Sequence, residues 1–157
     1  MTLYTSVLWF YALMATLIFG AGVYETLVVH PAWSRKLPES LRGFVGTPVS
    51  RMNFSAFWVP VNPLYSLSAL AALGLALRAG NLGAALIVST VCAIAAVVWT
   101  FLYFRPIIER FLETGGGNTP PERLQIVAHR WVRLNRIRVG LTAISWWGAL
   151  SALATQG

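Results

Sequence analysis

Apolar residues are collected in four blocks, each close to the length that crosses a membrane. A helix needs about 20 mostly apolar residues to span a bilayer. The blocks cover residues 3–29, 54–77, 82–104 and 139–154, and residues 131–137 lengthen the last one. The pattern predicts an all-α fold. We expect a single integral membrane domain over residues 1–157, in which four transmembrane helices form an antiparallel bundle.

Proline, glycine and capping residues predict the helix ends. His30-Pro31 ends helix 1, because a residue before proline avoids helical geometry. Thr47-Pro48 begins helix 2, and Thr119 with Glu122 forms a capping box that begins helix 4. Helix 3 passes Arg105-Pro106 and ends at the glycines 115–117. The predicted helices cover about 3–29, 48–78, 82–114 and 120–154.

Helix 4 is longer than a membrane requires. A helix of about 35 residues measures roughly 50 Å, against about 30 Å for the hydrocarbon core. Helices 3 and 4 should therefore extend into the cytoplasm as a hairpin.

Composition agrees with a membrane protein: 57% of the residues are hydrophobic and 11% are charged. The first block is not a cleavable signal peptide, because it lacks a basic start and Glu25 follows it instead of a cleavage site. The single cysteine, Cys92, excludes a disulfide or a cysteine-based zinc site within the chain.

The net charge of +7 is distributed unevenly. Eleven of the twelve Lys and Arg residues lie in or beside the connections 30–53 and 105–138, and only Arg78 marks the other side. Basic loops stay in the cytoplasm. We therefore expect a multi-pass protein of the inner (plasma) membrane with both termini outside. The partners of its basic loops would be anionic lipid head groups rather than nucleic acid. A homo-oligomer is compatible with the sequence.

Glu25 is the only acidic residue within a predicted span. An ionisable group at membrane depth is costly and is by default a functional hypothesis. The alternative is a structural ion pair near the interface. Arg138 is the natural partner in either case, because it lies at a similar depth in helix 4.

Helix 4 carries two stripes, of which we favour the first as the inward face because it stays polar or small deeper into the membrane. The first comprises Trp131, Asn135, Arg138, Thr142 and Ser145, and the second comprises His129, Arg133, Arg136 and Gly140. The second stripe would face helix 3 or lipid phosphates. His129 is nevertheless a natural general base, since imidazole titrates near neutral pH. The alternative is a surface histidine within a basic collar.

Two further alternatives concern cofactors and aromatic residues. His30 and His129 lie at the same predicted membrane face, which leaves a haem between them open. No metal site is predicted, because Glu25 and His30 are five residues apart, about 140° around an α-helix. The aromatic residues near the cytoplasmic end, among them Trp58 and Trp131, form either an interfacial belt or the wall of a pocket for a flat apolar ligand.

Three segments resemble a known family. They are G-A-G-V-Y-E-T-L-V-V-H-P, R-M-N-F-S-A-F-W-V-P-V-N-P and W-V-R-L-N-R-I-R. With its four-helix layout, the chain resembles the small membrane proteins grouped with the fungal anthrone oxygenases. Characterised relatives oxidise an activated carbon of an aromatic anthrone to the quinone with oxygen and without a metal.

The resemblance implies roles for particular residues. Glu25 or His129 would be the base. Trp58 and Trp131 would stack on the substrate ring. Donors to the substrate oxygen would be Asn53, Asn135 and Arg138.

These observations give one leading hypothesis and two alternatives. The leading hypothesis is a cofactor-free membrane oxidoreductase, a monooxygenase acting on a lipophilic aromatic or quinone-like small molecule. Its cavity would lie at the cytoplasmic end, lined by Glu25, Asn53, Asn135 and Arg138. The first alternative is a non-enzymatic membrane scaffold or small-molecule-binding protein. The second is a haem-binding electron-transfer subunit.

Overall fold

The computed structural model describes residues 2–41, 54–112 and 119–156. Regular structure in these ranges is helical throughout. Helix α1 covers Leu3–Ser34, α2 covers Phe54–Arg78 and α4 covers Pro121–Ala154. Helix α3 consists of four consecutive segments: Ala84–Trp99, Thr100–Phe104, Arg105–Ile107 and Ile108–Leu112.

All four helices are long and apolar enough to cross a membrane. In the most apolar stretch of each helix, at most 39% of the residues are buried within the protein. Large apolar side chains such as Leu13, Leu67 and Leu102 are more than 60% exposed. Such surfaces are suited to lipid rather than water. The chain is therefore a membrane protein, as its hydrophobic pattern predicts.

Helices α1 and α3 each contain a π-turn directly before a proline-containing turn. In α1 the π-turn is Glu25–Val29 and the α-helix resumes over His30–Ser34; in α3 it is Thr100–Phe104, followed by Arg105–Ile107. Proline lacks an N–H and its ring collides with a carbonyl of the preceding α-helical turn. A wider turn ahead of the proline lets the helix continue.

The predicted end of helix 1 at His30-Pro31 is therefore wrong, because the π-turn carries the helix on to Ser34. The predicted passage of helix 3 through Arg105-Pro106 is confirmed. The capping box at Thr119 is also wrong: Pro120 is the N-cap without a side-chain hydrogen bond, and Pro121 begins the helix with its preset φ. The predicted boundaries at Thr47-Pro48 and at the glycines 115–117 lie outside the described residues.

The middle of the bundle contains one hydroxyl from each helix. We call Tyr11, Tyr65, Ser89 and Ser145 the hydroxyl layer; all four are fully buried. Tyr65 donates to Ser145 Oγ at 2.6 Å, and Ser89 donates to the Ser145 carbonyl at 2.6 Å. The Tyr11 hydroxyl lies 2.6 Å from Ser89 Oγ and 2.8 Å from Ser145 Oγ.

These four bonds determine every proton in the hydroxyl layer. The Ser89 proton is already committed to a carbonyl, so Tyr11 must donate to Ser89. Ser145 must then donate to Tyr11. The chain of donors runs in one direction, from Tyr65 through Ser145 and Tyr11 to Ser89. It satisfies four polar groups that would otherwise be costly within a membrane.

A second cluster closes one end of the bundle. We call Trp33, Leu37, Leu41, Phe104, Leu124, Ala128 and Trp131 the aromatic cluster. It joins α1, α3, α4 and the segment after α1, where Gln125 donates to the Leu37 carbonyl at 3.2 Å. We call this the basic end, because exposed cations surround it: Arg35, Lys36, Arg105, Arg130, Arg133 and Arg136.

Replacing Gly148 with alanine should destabilise the bundle. The new Cβ would lie 2.8 Å from the Ala85 carbonyl oxygen and 2.8 Å from Ser89 Cβ. We expect the free energy of unfolding to fall by about 1–3 kcal/mol, measured by thermal unfolding in detergent. Gly140→Ala is the matched control on the same helix, because nothing lies within 4 Å of its Cβ. Equal stability of the two variants would contradict this packing.

Removing the Ser145 hydroxyl should also weaken the bundle. Ser145→Ala deletes the group that bonds both Tyr11 and Tyr65. We expect a loss of about 1–2 kcal/mol in the same measurement. Ser151→Ala is the control, because Ser151 bonds only to the Trp147 carbonyl of its own helix. A control loss as large as that of Ser145→Ala would show that the inter-helix bonds contribute nothing.

Candidate functional site

The inward face of α4 is the one that the sequence favours. All five members of the first stripe, Trp131, Asn135, Arg138, Thr142 and Ser145, are buried. All four members of the second stripe, His129, Arg133, Arg136 and Gly140, are exposed. The polar stripe therefore faces the other helices, and that prediction is confirmed.

Arg138 is held by two hydrogen bonds within the bundle. Its Nε donates to Asn135 Oδ1 at 2.9 Å, and its Nη1 donates to Thr100 Oγ1 at 3.0 Å. Thr100 in turn donates to the Ala96 carbonyl at 2.8 Å, which orients its lone pairs toward the guanidinium. The position of the charge is thus fixed from α3 and α4.

Two aromatic rings cover the guanidinium. Arg138 Cζ lies 5.1 Å from the centroid of Phe104 and 5.7 Å from that of Trp58. Both distances are within the range of cation–π attraction, which strengthens when the charge is removed from water. The rings therefore stabilise a cation that has only 9% of its side chain exposed.

Glu25 supplies the opposite charge from α1. Its Oε1 accepts a hydrogen bond from Trp58 Nε1 at 2.8 Å, and its Oε2 lies 4.0 Å from Arg138 Nη2. The predicted Glu25–Arg138 pair is confirmed. We call Glu25, Trp58, Thr100, Asn135 and Arg138 the polar site; it contains a side chain from each of the four helices.

The ion pair at the polar site is open. At 4.0 Å, Oε2 and Nη2 attract each other but are too far apart for a direct hydrogen bond. Both side chains are fixed by hydrogen bonds to other residues: Glu25 to Trp58, and Arg138 to Asn135 and Thr100. A ligand hydroxyl beside the pair could accept from Nη2 and donate to Oε2. The site thus combines a carboxylate base with donors for a developing oxyanion.

Thr100 is the contact that sequence reasoning missed. It lies in an apolar block, where a single hydroxyl does not form a helical stripe. Glu25 and Thr100 are the first residues of their π-turns, and each lies six residues before a proline, Pro31 or Pro106. A shared spacing of a polar residue and a proline was the available signal.

Two predicted site residues do not join this cluster. His129 is exposed, and it lies nine residues before Arg138, about two and a half turns away on the opposite side of α4. Trp131 belongs to the aromatic cluster, where its Nε1 lies 3.5 Å from the Phe104 carbonyl. Asn53 lies outside the described residues, and so does that wall of the predicted cavity.

An opening of about 210 Å³ lies at the other end of the bundle, where Tyr4, Asn81 and Gln156 line it. Among the described residues, no group of three or more His, Cys, Asp or Glu side chains could hold a metal ion. Of the two histidines considered for haem, His30 is 2% exposed and His129 is on the surface.

In comparisons with known proteins, no family model, curated protein or solved structure matches the chain. Function can therefore be proposed only from the geometry of the polar site. That geometry unites the three sequence segments that carry the family resemblance. The first contributes Glu25, the second Trp58, and the third Asn135 and Arg138.

Breaking the buried pair should cost more stability than breaking an exposed pair. Glu25→Gln and Arg138→Gln each leave one charge uncompensated, so we expect each to lower the free energy of unfolding by about 3 kcal/mol. The double variant should lose less free energy of unfolding than the two single variants lose in sum. Thermal unfolding of the four proteins in detergent gives this double-mutant cycle.

The control cycle uses Arg105 and Glu109. Their atoms are closer, at 2.7 Å, but both side chains are at least half exposed. We expect a loss of only about 0–1 kcal/mol for each of these variants. Equal losses in the two cycles would show that burial at the polar site has no energetic weight.

Proposed function

We propose that this protein is an integral membrane oxidoreductase, a monooxygenase that binds a lipophilic aromatic molecule at the polar site. One observation carries the proposal: Glu25 Oε2 and Arg138 Nη2 are held 4.0 Å apart by other partners, beside two aromatic rings. A purely structural pair would gain energy by closing that distance. An open, fixed pair is suited to a ligand oxygen.

The proposed chemistry uses each group once. Glu25 removes a proton from a carbon activated by a neighbouring carbonyl and aromatic ring. Arg138 stabilises the enolate oxygen with a hydrogen bond from Nη2, the nitrogen that lies 4.0 Å from Glu25 Oε2. Trp58 and Phe104 provide flat apolar surfaces beside the reacting ring. Molecular oxygen then oxidises the carbanion: a CH₂ group and O₂ give a carbonyl group and water, which balances without a further reductant.

The proposal includes an orientation in the membrane. The helices form an antiparallel bundle whose basic end is in the cytoplasm, with both termini outside. Helices α3 and α4 extend beyond the hydrocarbon core on that side. The exposed arginines at the basic end support this orientation through the positive-inside preference. Glu25 has 16% of its side chain exposed, which supports entry of a ligand from the side of the bundle.

The polar site also supports a second candidate function. It contains at least one side chain from every helix, so it is also suited to fasten a non-enzymatic scaffold or small-molecule-binding protein. In that case the pair only assembles the bundle, and substitutions at Glu25 and Arg138 change stability alone. Activity measurements on folded variants separate the two functions.

Anthrone and dissolved oxygen provide the test. We expect the purified protein to accelerate oxygen consumption in the presence of anthrone, measured with an oxygen electrode in detergent. Glu25→Gln should lower the rate by about 10²–10⁴-fold, the usual loss of a general base. Arg138→Gln should lower it by about 10²–10³-fold, the usual loss of an oxyanion donor.

His129→Ala is the control for the competing base. It lies on the exposed face, so its rate should stay within about twofold of the parent protein. A rate that depends on His129 and not on Glu25 would overturn the assignment of the base. Unchanged rates in folded Glu25 and Arg138 variants would support the scaffold.

A further inference from the structure

His30 is buried in a way that the polar site does not explain. It is only 2% exposed, and its Nδ1 has no hydrogen-bond partner among the described residues. Its ring contacts those of Trp131 and Trp33 edge-on, at centroid distances of 4.8 and 6.1 Å. A buried polar atom without a partner destabilises the folded protein. Phenylalanine would pack against the same rings without that cost, so the buried nitrogen is a candidate for binding a ligand.

The π-turn brings His30 to the side of α1 that carries Glu25. In an α-helix these residues would lie about 140° apart, which is the separation predicted from the sequence. In the structure the His30 backbone N–H bonds to the Glu25 carbonyl. A π-turn places such residues nearly one above the other, as an α-helix does with residues four apart. The predicted separation is therefore wrong.

Helices α1 and α4 face each other through three successive contacts. Glu25 faces Arg138 at 4.0 Å, Thr26 Oγ1 lies 3.5 Å from Asn135 Nδ2, and the His30 ring packs on Trp131. His30 follows Glu25 by five residues, which is about 7 Å along α1. His30 therefore belongs to the same wall as the polar site, toward the basic end.

We propose that His30 Nδ1 binds a second hydrogen-bonding group of the ligand. The ligand class is then an elongated aromatic molecule with a hydrogen-bonding group near each end, on the order of 7 Å apart. One group lies between Glu25 and Arg138 and the other at His30. This inference rests on the proposed function only for the first of these contacts.

Two probes that differ by one hydroxyl test the inference. Binding of 2-naphthol and of 2,6-dihydroxynaphthalene is measured by titration calorimetry in detergent, with empty micelles subtracted. We expect the second hydroxyl to tighten binding by about tenfold, as one buried hydrogen bond would. Glu25→Gln should weaken both probes by the same factor and preserve the tenfold difference.

Substitutions at His30 identify the contact. His30→Phe should bind 2-naphthol within about twofold of the parent, and the tenfold gain should disappear. His30→Asn places an amide atom close to the Nδ1 position and should keep most of the gain. His30→Phe should also raise the thermal midpoint, because it removes an unpaired polar atom. Failure of both variants to fold would overturn the inference in favour of a structural histidine.

The remaining outcomes separate this inference from the proposed function. If 2-naphthol binds in a Glu25-dependent way and the second hydroxyl adds nothing, the role of His30 is overturned and the proposed function stands. The role of His30 is also overturned if His30→Phe keeps the gain. If neither probe binds, both the proposed ligand class and the role of His30 are overturned. Oxygen consumption with anthrone then decides the proposed function separately.

Discussion

The structure depends on burying one guanidinium among four helices. Arg138 is an unfavourable residue for the interior of a membrane bundle, and every helix contributes to its accommodation. Glu25 from α1 supplies the opposite charge, Trp58 from α2 and Phe104 from α3 supply ring faces, and Thr100 and Asn135 accept hydrogen bonds from the guanidinium. The helices cannot separate without exposing an unpaired cation to lipid. The same requirement fixes their relative positions at the polar site.

The two polar levels of the bundle differ in their capacity for chemistry. In the hydroxyl layer every donor has an acceptor and the order of protons is complete. A saturated network of this kind holds helices in register and offers nothing to a ligand. At the polar site the closest carboxylate and guanidinium atoms are 4.0 Å apart. That unfilled hydrogen-bonding capacity, on a rigid support, makes it the better candidate for function.

The sequence predicted the four helices, the inward face of α4 and the Glu25–Arg138 pair, because hydrophobic length and helical period directly encode them. It did not predict that α1 continues to Ser34 or that Glu25 and His30 share one side. Both errors have one physical source. The rule that proline ends a helix assumes an α-helical turn before the proline. A π-turn is wider, so the helix continues although proline lacks an N–H to donate. Thr100 was missed because one hydroxyl in an apolar block forms no stripe with a helical period. Glu25 rather than His129 is the proposed base because Glu25 is largely buried and His129 is exposed. Burial of this kind cannot be read from the residue type alone.

Each π-turn acts as a single-residue insertion in a helix. Residues after Val29 in α1 are out of phase by about 100° with those before Glu25, relative to a continuous α-helix. A single helical wheel drawn over α1 would therefore assign the lipid-facing side wrongly for one of its halves. An accessibility scan of α1 should therefore be fitted with two helical wheels, joined at the π-turn. When α1 is aligned with a continuous α-helix, a gap of one residue at the π-turn keeps the inward-facing positions of both halves in register better than an ungapped alignment.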